Sequence, residues 1–122
     1  MANIFIADDD QLVIDLISFR LQRRGHTVSG ATDGELALEA ILHQPPDLII
    51  LDYVMPVLNG PDIIAALKAE SATANIPVLI LAAQWRERDV MEALDLGVTD
   101  YMTKPFSPEE LIFRVERALK IR

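Results

Sequence analysis

Cysteine is absent from the 122 residues, which excludes a disulfide framework and any thiol chemistry. Basic residues are in deficit: 11 Lys and Arg against 19 Asp and Glu leave a formal net charge of −8. Nonspecific nucleic-acid binding rests on clustered cations that neutralise phosphates, so no direct nucleic-acid binding is expected of this stretch. A separate DNA-binding domain is not excluded. The cations that do gather are Arg20, Arg23 and Arg24, then Arg114, Arg117, Lys120 and Arg122. They fall near the ends of helical patterns, where the helix dipole favours them. Long apolar runs are missing too. Runs such as Ile76 to Ala83 fall far short of the roughly 20 residues that span a bilayer. No basic-then-apolar signal segment opens the chain, and there is no repeat or low-complexity tract. A soluble, cytoplasmic protein without membrane contact is expected.

What is present is enough for a core: 51% of the residues are hydrophobic in a chain of ordinary single-domain size. Strand and helix signals alternate. Ile4 to Ala7, His26 to Gly30, Leu48 to Leu51, Ile76 to Ala83 and Val98 to Met102 read as strands. The third and fourth are continuous apolar runs, as strands buried on both faces are. Leu12 to Arg24, Asp33 to His43, Asn59 to Ala69, Arg86 to Leu96 and a last segment from Ser107 to about Ile121 read as helices. In the first, Leu12, Leu16 and Phe19 share one stripe, with Val13, Ile17 and Leu21 beside it. Gly25 and Gly97 punctuate helix ends, and Gln44-Pro45-Pro46 breaks the second helix. Ser107-Pro108-Glu109-Glu110 reads as a capping box. Five alternations imply an α/β domain with a parallel sheet covered on both faces.

In a parallel sheet all strand C-termini lie along one edge, where open α/β folds place their ligands. Asp8, Asp9 and Asp10 follow the first strand, Asp52 the third, Ala82-Ala83-Gln84-Trp85 the fourth, and Thr103-Lys104 the fifth. Adjacent carboxylates repel unless a cation sits among them. An all-oxygen, carboxylate set suits Mg²⁺, and Lys104 adds a mobile positive charge suited to a phosphoryl group. Acids, metal and lysine make a phosphoryl-transfer site, and a carboxylate can itself become an aspartyl-phosphate. Each residue also has a plain structural reading. Asp10 can cap the first helix, Asp8, Asp9 and Asp52 can be turn acids, and Lys104 can be an ordinary exposed lysine.

The segments IADDDQ, LDYVMPVLNG and DYMTKPFSPEEL, with Ala31-Thr32-Asp33-Gly34 and the Gly97-to-Asp100 turn, resemble the receiver domain of two-component response regulators. The likeness runs in order through the whole chain. It implies a flavodoxin-like (βα)5 sandwich with strand order 2-1-3-4-5. It also implies one receiver domain over residues 1–122, standing alone or excised from a longer response regulator or hybrid kinase. It makes Asp52 the phosphoacceptor. Asp9 would bind Mg²⁺ directly, Asp8 partly through water, and the Val54 carbonyl would complete the protein ligands. Lys104 would contact the phosphoryl oxygens. The phosphoryl donor would be a histidine kinase or histidine phosphotransfer protein, and the domain would act as a switch more than as a turnover enzyme. The family usually has a cis Lys-Pro bond at the position of Lys104-Pro105, and Met55-Pro56 and Asn59-Gly60 match its loop after the acceptor.

The chain departs from the family at Ala82, where Thr or Ser is usual. That hydroxyl bonds a phosphoryl oxygen, and a hydrogen bond to a charged group is worth about 1.5–3 kcal/mol. A tenfold population shift needs only about 1.4 kcal/mol, so phosphorylation is expected to survive more readily than its usual readout. Tyr101 matches the aromatic position that swings inward when the hydroxyl moves. Gln84 and the indole N–H of Trp85, the single Trp, are candidate substitute donors; Trp85 is also a candidate partner contact, lid or helix cap. Val54, two residues after Asp52, is apolar and is expected to leave self-dephosphorylation slow.

His26 and His43 lack a metal-like constellation and read as incidental edge residues. The face of the fourth helix, fifth strand and fifth helix is a candidate homodimer surface, where Glu92, Asp95, Asp100, Arg114 and Arg117 would form cross-subunit pairs. Two competing functions stay open. One is a degenerate receiver that only binds a partner, supported by Ala82. The other is a phosphatase working through an aspartyl-phosphate, which Val54 counts against because such enzymes usually place a second acid there.

Overall fold

Four of the five helices begin where the sequence supplies an oxygen acceptor. In the computed structural model, which describes residues 1–120, Asp10 accepts from the Leu12 N–H at 3.0 Å to start α1 (Gln11–Arg23). Asp33 accepts from Leu36 at 2.8 Å to start α2 (Gly34–His43). Asn59 accepts from Asp62 at 3.1 Å to start α3 (Gly60–Lys68). Ser107 accepts from the Glu110 N–H at 3.3 Å to start α5 (Pro108–Lys120). The Glu110 carboxylate turns instead to Arg114, one turn on, at 2.8 Å. Such caps are worth about 1 kcal/mol each. The remaining helix, α4 (Glu87–Asp95), has Arg86 at its N-cap and no side-chain cap bond. Ile121, placed at the end of α5 by the sequence pattern, lies outside the described residues.

The strands are β1 (Asn3–Ala7), β2 (Thr27–Ala31), β3 (Leu48–Asp52), β4 (Val78–Ala82) and β5 (Asp100–Thr103). They form one parallel sheet in the order β2-β1-β3-β4-β5. Strands β3 and β4 are buried throughout. Their alternate residues serve two cores. Ile49, Leu51, Ile80 and Ala82 pack with residues of α2, α3 and α4. Leu48, Ile50, Leu79 and Leu81 pack with residues of α1 and α5.

Three strand starts move inward, each for a backbone reason. His26 is not the start of β2: its N–H is bonded to the Leu21 carbonyl, and that of Gly25 to Gln22, which closes α1 with Gly25 at φ +93°. Val98 likewise belongs to the closure of α4, its N–H on the Ala93 carbonyl and Gly97 at φ +91°. Pro77 has no N–H to donate to a ladder, so β4 begins at Val78. In α1 the period is as read, but Ile14, Ile17 and Leu21 are the buried row, while Leu12, Leu16 and Phe19 face solvent.

His26 sits at an element edge, yet it is not incidental. Its Nδ1 accepts from the Ala2 N–H at 3.2 Å, so Nε2 carries the proton that faces Glu116 at 3.2 Å. Glu116 also accepts from Arg24 Nε at 3.1 Å. This ties the N-terminus and the end of α1 to α5.

Val57 is the one non-glycine residue of the described chain with positive φ, at 72°. A β-branched side chain in the left-handed region is a strained outlier, of order 1–3 kcal/mol. Val57 is exposed, so little packing is lost with it. Val57→Gly is expected to raise stability by about 1 kcal/mol, read as a higher urea midpoint at unchanged slope. An equal or lower midpoint would show that the loop carries no such strain.

Candidate functional site

The Asp8 N–H on the Ala31 carbonyl at 3.2 Å extends the β1–β2 ladder by one bond, and the chain bends at Asp9. This bend separates the three consecutive acids. Asp8 is fully buried and its Oδ1 accepts from the Asp10 N–H at 2.9 Å. Asp10 is the helix cap, exposed, with its carboxylate on Leu12. Asp9 is exposed at the mouth of the site. Asp52 ends β3 and is buried. Its Oδ1 accepts from the Val54 N–H at 3.2 Å.

Lys104 arrives from beyond β5, where its own N–H on the Ala82 carbonyl at 2.8 Å extends the ladder. Its Nζ donates to Asp52 Oδ2 at 3.2 Å and lies 2.8 Å from Asp8 Oδ2. The second contact has ion-pair distance without hydrogen-bond alignment, leaving a buried carboxylate oxygen without an aligned donor. The Lys104–Pro105 bond is cis.

One oxygen from each of Asp8, Asp9 and Asp52 lies within 4.8 Å of the others. Three carboxylates, one with a buried oxygen whose close partner is the Lys104 ammonium at 2.8 Å, form an oxygen-only set that fits a hard divalent cation such as Mg²⁺. The local electrostatics agree. Burial pushes the Asp52 carboxyl above its ordinary range; Lys104 and the Val54 N–H pull it down, and Asp8 pushes it further up. Burial opposes the charge on Lys104, but the contacts to Asp8 and Asp52 outweigh it and raise its ammonium above the usual value. The site thus holds more negative charge than one lysine balances.

The loop after Asp52 is held by two glycines. The Gly60 N–H bonds the Tyr53 carbonyl at 2.9 Å, and the Gly34 N–H bonds the Pro56 carbonyl at 3.1 Å. Helix α2 therefore starts against the loop that carries Val54 to Leu58.

A family model for the response regulator receiver domain matches residues 4–116. The chain belongs to this family. The receiver domain is 39% identical over 117 residues to the alkaline phosphatase synthesis transcriptional regulatory protein PhoP of Bacillus subtilis, covering 96% of this chain and 48% of that protein. It is 38% identical over 120 residues to the DNA-binding dual master transcriptional regulator RpaA of Synechocystis, covering 98% and 50%. The chain spans about half the length of the curated relatives it matches. Among solved structures, the receiver domain of the Francisella response regulator 1452 superposes with a TM-score of 0.90 at 35% identity, covering 98% of each chain. Chemotaxis protein CheY4 of Vibrio cholerae gives 0.90 at 31%, covering 97% of this chain and 98% of that one. The strand order agrees with the expected flavodoxin-like sandwich.

Ala82 ends β4 and is buried, paired in the sheet with Thr103. Tyr101, paired with Ile80, is 5% exposed, and its hydroxyl is buried without a hydrogen-bond partner. Trp85 is 63% exposed and stands edge-on to the Tyr101 ring, centroids 5.5 Å apart. Gln84 accepts from Arg86 Nε at 2.8 Å through its side-chain oxygen. Val54 is exposed. Asp100, Arg114 and Arg117 are engaged within the chain: Arg114 pairs with Asp100 at 2.9 Å, and Arg117 with Asp100 at 3.6 Å. Glu92 is likewise engaged internally, by the Tyr53 hydroxyl.

Tyr53 is the contributor that the sequence reading passed over. It adjoins Asp52, is buried, and its hydroxyl donates to Glu92 on α4. Burial first, and then that carboxylate, push its phenol well above the ordinary tyrosine value. The available signal was an aromatic residue directly after the acid in an aliphatic strand. No helix of the described residues is long and apolar enough to cross a membrane.

Proposed function

We propose that this receiver domain accepts a phosphoryl group on Asp52 from a phosphohistidine of a histidine kinase or a histidine phosphotransfer protein. The observation that carries the reading is the meeting of Asp8, Asp9 and Asp52 oxygens within 4.8 Å, with Lys104 Nζ on two of them, at the C-terminal edge of the sheet. Asp8, Asp9, Asp52 and the Val54 carbonyl would hold Mg²⁺. When bound, the ion supplies charge neutralisation between carboxylates and phosphoryl oxygens.

The residues then have distinct roles. The Val54 N–H fixes the rotation of the Asp52 carboxylate. A carboxylate oxygen of Asp52 attacks phosphorus; an O–P bond forms, the N–P bond breaks, and the imidazole leaves with the electron pair and takes up a proton. Lys104 shifts from its carboxylate partners toward the oxygens of the incoming group, a positioning and charge-balancing role. Water later attacks phosphorus; a new O–P bond forms, the Asp52 O–P bond breaks, and inorganic phosphate leaves with the Asp52 carboxylate restored. The apolar, exposed Val54 side chain offers no group to orient that water, which keeps the return step slow. The domain is a switch that modifies itself. This receiver domain, standing alone or as one part of a longer response regulator or hybrid kinase, would act in the cytoplasm, and its α4–β5–α5 face is the surface it would offer to a second copy.

A second reading, an interaction module without physiological phosphorylation, is favoured by one observation: Ala82 presents no hydroxyl at the edge of the site. One experiment separates the two. The protein is incubated with Mg²⁺ and acetyl phosphate and its intact mass is followed. The expected result is the gain of one phosphoryl group, lost in Asp52→Asn and after chelation of the metal. No gain in the wild-type protein, or an equal gain in Asp52→Asn, would reject the acceptor role.

A further inference from the structure

Helix α4 should be loosely held. Its cap residue Arg86 has no acceptor to offer, and within the helix only Val90 and Ala93 are buried. Few buried groups and an unsupported start are the marks of a segment that opens locally. Yet a continuous run of side chains leads from the acceptor strand to this helix. The Tyr53 hydroxyl, one residue after Asp52, donates to the Glu92 carboxylate. The Tyr53 ring packs on Tyr101 at 6.0 Å between centroids, and Trp85 meets the other ring edge-on at 5.5 Å. Such tilted and edge-to-face pairs are the favoured aromatic arrangements.

The inward place of Tyr101 follows from its neighbours. Ile80 pairs with Tyr101 and Ala82 with Thr103. Residues two apart on a strand share a face, so Ala82 and Tyr101 lie on the same side of the sheet and belong to one core. The methyl of Ala82 takes little room there. Tyr101 is buried although its hydroxyl has no partner. A buried, unbonded hydroxyl opposes burial, so ring packing and not a hydrogen bond fixes this side chain.

We infer that Tyr53, Glu92, Tyr101 and Trp85 form a standing latch that holds α4 against the sheet before any phosphoryl group arrives, so that Tyr101 does not report the state of Asp52. The first half stands on geometry alone; the second rests on the proposed acceptor role of Asp52.

The test has two arms. Amide hydrogen exchange of α4 is compared in the metal-free wild type and in Tyr53→Phe, which keeps the ring and removes only the hydroxyl. The expected result is exchange about tenfold faster over residues 87–95, the factor that corresponds to 1.4 kcal/mol, with α1 unchanged. Unchanged exchange in α4 overturns the latch. In the second arm the wild type receives Mg²⁺ and beryllium fluoride, with binding followed by fluorine NMR and checked against Asp52→Asn. Bound fluoride with unaltered Trp85 emission and acrylamide quenching is the expected outcome. Bound fluoride with a shifted Trp85 emission overturns the second half of the inference. Absence of bound fluoride rejects the acceptor role and the second half with it, while the exchange arm still decides the latch.

Discussion

Lys104→Met is expected to destabilise the metal-free protein by about 3 kcal/mol, the lower end of the range for breaking a buried ion pair from one side. Methionine preserves most of the aliphatic stem, so the loss is chiefly electrostatic. The Asp8 carboxylate is left without its cation while its side chain remains 1% exposed, and Asp52 is left beside it. The lower end applies because the lysine side chain is itself 24% exposed, so water screens part of the pair. For a domain of this size the melting temperature should fall by roughly 10 °C. The loss also has a direction in pH. Burial already raises the Asp52 carboxyl, and Lys104 is the largest effect pulling it down. Without the lysine the folded state binds that proton still more tightly than the unfolded chain does. The penalty is therefore full at neutral pH and narrows as pH falls through the raised Asp52 value. Millimolar Mg²⁺ should return part of the stability, since a cation among the acids replaces the missing charge. Thermal melts of both proteins in chelator, in Mg²⁺ and across pH check all three points. A loss below about 1 kcal/mol in chelator would mean that the acids do not depend on Lys104.

The second large effect is steric. A Cβ on Gly34 would stand 1.7 Å from the Leu58 carbonyl oxygen and 2.6 Å from its carbon. Both are backbone atoms, so no rotamer change relieves the overlap. Nor can the start of α2 swing away without breaking the Gly34 N–H bond to Pro56. Gly34→Ala should cost more than about 4 kcal/mol, in the exceptional tail of point mutations and comparable with the whole stability of a marginal domain. It should also displace the loop that carries Val54. Gly97→Ala is the comparison. Gly97 is at φ +91°, but its Cβ would meet only the flexible end of Lys68 at 3.4 Å. That change should cost about 1–2 kcal/mol, the ordinary penalty of a left-handed residue. Urea unfolding, with soluble yield where Gly34→Ala fails to fold, ranks the two. Equal losses would show that the loop yields to α2 and that the glycine is not required by the contact.

Much of this was legible beforehand because it rests on local rules. Alternation of period, Gly and Pro punctuation and Asx caps are written in neighbouring residues, so five strands and five helices follow from them. Where the boundaries moved, as at His26 and Val98, the cause was the glycine closure of the preceding helix, which takes one more backbone N–H than an apolar run reveals. The stripe on α1 shows the limit of periodicity. Leu12, Leu16 and Phe19 satisfy the period as well as Ile14, Ile17 and Leu21 do, and only the sheet decides which row is covered.

The acids and the lysine at strand ends could be collected from the sequence because a parallel sheet sends all those ends to one edge. The resemblance named their roles. What it could not assign was the difference among like residues: Asp8 buried, Asp9 open, Asp10 spent as a cap. Nor could it show that Tyr53 reaches Glu92 across 39 residues, or that Gly34 exists for the sake of Leu58. By itself, then, the sequence determined the elements, their order in the chain and the kinds of group that gather at the edge, since these depend on residue type and spacing. The tertiary structure alone decided burial, pairing and clearance, because each is a distance between atoms that only long-range packing brings together.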